Sequence, residues 1–386
     1  MKKIIAILSL LIIVSLGAMY LNDDKSKKED KEVVVVEPEE EVIEEDRVET
    51  ITLVSVGDIM YHYYQILPVP TQPSGYNYYD GLKLTKPYFK NADIAIGNYE
   101  TTTTLSRPYN SYPQFNTPAE SLDAIADAGI DILSTINNHT LDSGRQGLID
   151  TYTAIKDRGI IPLGTRLEVE PNLKTIERKG IKIGFLGYTY GFNGLDFMLT
   201  PEEHEYMVSQ IDEEKIEKEI KESIALGNDM TAVMIHWGTE YSPKPNTYQK
   251  ELAGKMAGWG ADIILGSHPH VVQEAEMIDE TFVIYSMGNF VSDQRLETLN
   301  NIDTERGLMV ELEIEKNFTT NKTKITKIDY HPLWVNKYYR EDNYYYETIV
   351  AKDFLENKIE TYTPDGSRER IQMAYEETMK RVKGED

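Results

Sequence analysis

From Thr50 onward, short apolar runs alternate with amphipathic helical patterns, and run after run ends on a side chain able to bind a metal. "ITLVSVGD" ends at Asp58, "NADIAIGNYE" at Asn98 and Glu100, "IDILSTINNH" at Asn138 and His139; "MTAVMIHWG" passes through His236, and "ADIILGSHPH" finishes on His268 and His270. Between these runs, "PAESLDAIADAG", "GLIDTYTAIKDRG", "DEEKIEKEIKESIALG" and "YQKELAGKMAGWG" place apolar residues at helical spacing, the first opened by Pro118 and closed by Gly129. Farther on come strands in succession, "TFVIYSMGNFV", "RGLMVELEIEK" and "KITKIDYHPLWV", with no long helix between them. A βα-alternating body that ends in consecutive strands predicts an α/β protein of mixed layers built on two packed sheets.

Loops at the carboxyl ends of strands are where such folds collect ligands and catalytic groups, because the strands fix position while the loops vary the side chain. Four of the seven histidines fall at those ends. Imidazole, carboxylate and amide oxygen together suit a divalent ion such as Zn, Mn or Fe. The absence of cysteine removes disulfides, thiolate zinc sites, thiol nucleophiles and a cysteine-borne lipid anchor. A formal net charge of -25 excludes nucleic acid as the expected partner, since that polyanion is held by clustered Lys and Arg.

The chain begins "MKKIIAILSLLIIVSLGAMYL", two lysines followed by an apolar run from Ile4 to Leu21. A bilayer core needs about 20 such residues. Residues 1–21 are therefore expected to form a membrane signal-anchor, with Lys2 and Lys3 keeping the short end in the cytoplasm and the rest of the chain extracellular. Residues 22–49 are dominated by charge and read as a disordered acidic tether. The main domain is expected over 50–338, and 339–386 as a C-terminal extension, rich in Tyr and charge, that ends in a helix beyond "TPDG".

Taken in order, "GD", "GNYE", "NNH", "HWG", "GSHPH" and "YSMGNF" resemble the CapA (PgsA) family of bacterial poly-γ-glutamate capsule biosynthesis proteins, which is similar to the calcineurin-like metallophosphoesterases; the likeness spans roughly residues 50–335. The resemblance implies a four-layer α/β/β/α metallophosphoesterase-like sandwich with two divalent metal ions, Mn, Zn or Fe, between the sheet ends. By the same likeness Asp58 is the first-motif aspartate and Glu100 the bridging carboxylate. Asn138, His236 and His268 are implied as ligands of the second ion, and His270 as a ligand of the first. His139 is implied as the acid beside the leaving group, with Asp142, three residues on, a candidate to orient it. Arg145, the cation nearest these residues in sequence, and Asn289 of "YSMGNF" are the candidates for substrate binding.

One departure bears on activity. Metallophosphoesterases carry D-x-H in the first motif, whereas Met60 stands two residues after Asp58, and a thioether is a poor ligand for a hard ion. His62 is the candidate to replace it. Three functions follow as expectations. The first is a membrane-anchored metalloprotein for synthesis or export of an anionic capsule polymer such as poly-γ-glutamate, working with other synthase or export subunits. The others are a metal-dependent phosphoesterase or amide hydrolase of the cell envelope, and a non-enzymatic assembly factor on a metallophosphatase scaffold.

Overall fold

The computed structural model describes residues 47–385. The expected anchor and nearly all of the expected tether lie outside the described residues. Among the described residues no helix is long and apolar enough to cross a membrane. In chain order the strands are β1 (Val48–Ile59), β2 (Ile94–Tyr99), β3 (Ile132–Ser134), β4 (Ile161–Leu163), β5 (Lys174–Arg178), β6 (Ile181–Thr189) and β7 (Met230–His236). They continue with β8 (Ile263–Ser267), β9 (Ala275–Ile278), β10 (Thr281–Ile284), β11 (Asn289–Val291), β12 (Arg306–Asn317), β13 (Lys322–Arg340) and β14 (Asn343–Val350).

These strands form two mixed sheets, one in the order β14-β13-β12-β1-β2-β3-β4 with β11 also paired to β1, the other β5-β6-β7-β8-β10-β9. The pairs β1/β2, β2/β3, β3/β4, β6/β7, β7/β8 and β8/β10 are parallel; the flanking pairs are antiparallel. Side-chain alternation sorts each central strand into two buried faces. On one face Leu53, Ile96 and Ile132 of the first sheet pack toward Ile183, Phe185, Met234 and Leu265 of the second, making the core between the sheets. On the outer face of the first sheet Val54, Val56, Ala95 and Leu133 meet Leu122, Ile125 and Ile155 from the helices Glu120–Ala128 and Gly144–Lys156. On the outer face of the second, Val233, Ile235 and Ile264 meet Ile216, Ile220, Leu252 and Met256 from the helices Glu213–Ala225 and Thr247–Trp259. The result is the α/β/β/α layering that the resemblance implied.

The domain edges differ from the sequence expectation. Val48 and Glu49, assigned to the tether by their charged surroundings, pair with Asn317 and Lys316 as the first residues of β1. At the other end β14 completes the edge of the first sheet, and Ile371 and Ala374 of the helix Ser367–Val382 pack on Trp334 and Ile349. The extension is thus built into the sheet's edge, and its tyrosines Tyr345 and Tyr346 are buried.

The carboxyl ends of the parallel strands of both sheets converge, and a tight backbone contact fixes the first of them. Asp58 N–H donates to Gly288 O at 2.9 Å. A Cβ on Gly57 would lie 1.9 Å from that same oxygen, so only glycine lets the two chains approach this closely. The "GD" and "MGNF" segments are therefore one structural unit, with Asp58 directly beside Asn289 in parallel register.

Candidate metal centre

Two donor sets form where the sheet ends meet. Asp58, Glu100 and His270 bring three ligand atoms within 4.8 Å of one another, and so do Glu100, His236 and His268. Glu100 belongs to both. All five side chains are buried. His270 Nδ1 lies 3.0 Å from Asp58 Oδ2, and Glu100 Oε1 is 3.5 Å from His236 Nε2 and 3.8 Å from His270 Nε2. Asn138 joins the second set through its Oδ1, 2.8 Å from His236 Nε2.

A lattice of amides and hydroxyls orients these groups. Asn137 Nδ2 donates to Asn98 Oδ1 and to Tyr99 O, which turns the Asn98 amide so that its Nδ2 donates to Asp58 Oδ1 at 2.9 Å and Glu100 Oε2 at 3.1 Å. Ser267 Oγ sits 2.9 Å from His236 Nδ1, and in the tautomer that donates to it the Nε2 lone pair is left to face the donor set. His268 and His270 both have left-handed backbone, with φ of 101° and 59°. That conformation is uncommon for a residue with a Cβ and is held only where the surroundings over-determine it. Here it turns two imidazoles, separated by Pro269, toward the same point.

The charges follow from burial. Glu100 is pushed well above the ordinary carboxylate range by desolvation and then by Asp58 beside it. His268 is pushed down to about 3 by burial and then by His270, and His236 also lies well below the usual imidazole range for the same first reason. Neutral imidazoles and a carboxylate pair crowded together are what a divalent cation binds well. Glu100 Oε1 and His268 Nδ1 are buried with no hydrogen-bond partner, an arrangement that costs free energy unless something satisfies it. On these grounds the residues fit a divalent metal ion, with Glu100 common to both donor sets.

His139 lies at the mouth of a cleft of about 290 Å³ that Asn138, Asp142, Tyr112 and Glu240 also line. Its Nδ1 meets Asp142 Oδ2 at 2.7 Å, and the same oxygen accepts the Phe115 N–H at 2.6 Å. The Asp142 carboxylate is thus in contact with the ring and held in turn by the Phe115 backbone. Burial raises the Asp142 pKa against the opposing pull of His139.

Two sequence candidates do not join this group. Arg145 is half-exposed at the start of the helix Gly144–Lys156 and pairs with Glu203 at 2.5 Å; it does not line the cleft. Asn289 is fully buried and does not line the cleft beside His139; its amide donates to Thr304 O and Gln294 Oε1, and its Oδ1 has no hydrogen-bond partner. His62 is half-buried, and its Nδ1 accepts the Asp293 N–H at 3.1 Å. It belongs to neither donor set. The structure adds Asn137 and Ser267 as orienting groups, and Glu240, an exposed carboxylate within 4.8 Å of His268 and His270 ligand atoms. The Glu240 loop is tied down by Tyr241 N–H donating to Pro269 O at 2.8 Å. Tyr190 covers the outer side, its ring 4.6 Å from that of His268.

Comparison with known proteins was informative. The family model described as "Bacterial capsule synthesis protein PGA_cap" matches residues 52–294. The PGA biosynthesis protein CapA of Bacillus subtilis (strain 168) is 30% identical over 289 residues, covering 72% of this chain and 70% of that protein. The capsule biosynthesis protein CapA of Bacillus anthracis is 32% identical over 261 residues, covering 64% of this chain and 61% of that protein. Among solved structures, a calcineurin-like phosphoesterase, YfkN from Bacillus subtilis, aligns over 86% of this chain and 99% of its own, at 15% identity and a TM-score of 0.43.

Proposed function

The chain belongs to the bacterial capsule synthesis family PGA_cap, and from that premise we propose that it is a membrane-anchored, extracytoplasmic metalloprotein that acts on an anionic capsule polymer such as poly-γ-glutamate by hydrolysing a link in it. The observation that carries the catalytic part is the sharing of Glu100 between two buried donor sets, with its Oε1 lacking any hydrogen-bond partner. The apolar run from Ile4 to Leu21 behind two lysines supports the anchor and the orientation.

Asp58, Glu100 and His270 would hold one ion, and Glu100, Asn138, His236 and His268 the other. Divalent ions there supply Lewis acidity, which acidifies water and polarises the bond under attack. The protein's own groups do the rest. Asn98 and Ser267 keep the ligands aimed, and the cleft beside His139 admits the polymer. When water adds to the carbonyl carbon of an amide link, the C–N bond breaks and the leaving nitrogen needs a proton. His139 is the group placed to give it from Nε2, since Asp142 engages its Nδ1. An acidic domain repels a polyanion at long range, but salt screens that field beyond about 8 Å.

The assembly-factor reading is favoured by one observation: Met60 is buried just after Asp58, where phosphoesterases place a histidine ligand. An assay separates the two. The full chain, loaded with Mn or Zn, is incubated with poly-γ-glutamate and new amino termini are counted. We expect hydrolysis that falls roughly 100-fold in His139→Gln while metal content is kept. A chain carrying its metals that cleaves neither this polymer nor a phosphodiester contradicts the hydrolytic reading.

A further inference from the structure

A groove of about 630 Å³ outside the metal centre runs between the segment that follows β4, the outer face of β6 at Tyr188, and the helix Glu213–Ala225. No ligand of the metal centre lines it. At its base lies Arg166, 6% exposed, donating from Nε to Tyr206 O at 2.5 Å, from Nη1 to Ser209 Oγ at 2.8 Å and from Nη2 to Val208 O at 3.3 Å. All three acceptors are neutral, and two of the five N–H groups of a guanidinium are left over.

The carboxylates in the same groove are engaged elsewhere. Glu170 pairs with Lys174 at 3.0 Å and Glu205 with Lys215 at 2.7 Å, while Glu219 accepts from Tyr188 OH and from Asn172 Nδ2. None of them forms an ion pair with Arg166. The hydrogen bonds of Arg166 all go to neutral acceptors, and Glu219, Glu170 and Glu205 act on its buried charge only from beyond ion-pair distance. A second observation comes from Asn172, which is 1% exposed. Its Nδ2 is fixed by Gly187 O and Glu219, and its Oδ1 has no donor at all. The groove therefore lacks an anion at one buried point and an N–H at another.

We propose that this groove is a second binding site, for a molecule that presents a carboxylate beside an N–H donor, with the carboxylate on Arg166 and the N–H on Asn172 Oδ1. A free α-amino acid and the carboxyl end of an amide-linked chain share that chemistry.

Titration calorimetry on the full chain tests this, with glutamate, alanine and lysine as free amino acids and trialanine as the chain end. At least one is expected to bind about tenfold or more tightly than its own amide and than the matching acid without nitrogen, since each comparison strands one buried group. Arg166→Gln is expected to remove that binding and leave metal content unchanged. Tighter binding by a free amino acid supports a small-molecule site, and tighter binding by trialanine a chain-end site. Equal affinity for acid, amide and nitrogen-free acid, or no binding by any of the four, overturns the proposal. If Arg166→Gln fails to fold because the 206–209 segment comes loose, the ligand comparison on the unaltered chain decides alone.

Discussion

The parallel strands carry acidic side chains at both ends, and the two ends are finished in opposite ways. At the amino ends Asp93, Asp131, Asp229 and Asp262 each stand immediately before a strand. Each accepts a backbone N–H from the neighbouring strand: Thr52 at 3.0 Å, Ala95 at 2.8 Å, Lys182 at 2.8 Å and Thr231 at 2.7 Å. Three of them also meet a cation, Lys179, Arg178 or Lys316. At the carboxyl ends Asp58 and Glu100 are buried with three imidazoles, and no Lys or Arg pairs with either among the described residues. The contrast separates acids that tie strands together from acids held for a cation that the chain itself does not provide. Carboxylates tied to the backbone at one end, and at the other a buried pair with one orphaned oxygen on Glu100, are the mark of a fold that gives up stability locally for a site.

Chelation should break the carboxyl end alone. A chain saturated with metal at about 1,000 times its dissociation constant is stabilised by about 4 kcal/mol per site, so removal of the ions should lower the melting temperature measurably, as followed by calorimetry with and without chelator. His268→Ala should empty one position and spare the set of Asp58, Glu100 and His270, halving the metal content on elemental analysis. Loss of both ions would mean that the positions fill only together.

The amino end should respond to pH instead. Burial raises Asp262 from its ordinary 3.8 to about 6, opposed by the Thr231 hydrogen bond. Because the folded value lies above the unfolded one, the contribution to stability is complete below about pH 4 and is lost as pH rises through about 6. Asp262→Asn should therefore become more stable than the parent by about 1–2 kcal/mol at pH 7.5 and gain little at pH 4, with metal content unchanged. Urea titrations at the two pH values read this. Smallest of all, His62→Ala should leave metal content as it is; a loss would show that His62 replaces the ligand missing at Met60.

Much of the carboxyl end was legible because each candidate ligand stands at the end of an apolar strand. Asp58, Glu100, Asn138, His236, His268 and His270 could be collected without knowing the order of strands. Other features depended on tertiary register. That Asn137 would turn the Asn98 amide onto two carboxylates follows from how β2 and β3 sit side by side, which nothing local in "NNH" encodes. The left-handed backbone at His268 and His270 was equally hidden, since "SHPH" has no glycine at those positions. Arg145 misled because nearness in sequence to His139 is not nearness in space: the helix beginning at Gly144 turns it to Glu203. Strands β5 and β9 escaped notice because both are edge strands with half-exposed, charged alternation in place of an apolar run. Strand β14 was hidden by its tyrosines and by pairing that only β13 supplies.

The central claim, two ions on one shared carboxylate, is tested most directly by elemental metal analysis of the full chain beside Glu100→Gln. The substitution removes the buried carboxyl group as a ligand while keeping the shape, so the variant should fold at least as well as the parent. About two metals per chain in the parent and close to none in the variant is the predicted result. A variant that keeps both ions, or a parent that takes up none after reconstitution with Mn or Zn, would contradict the account.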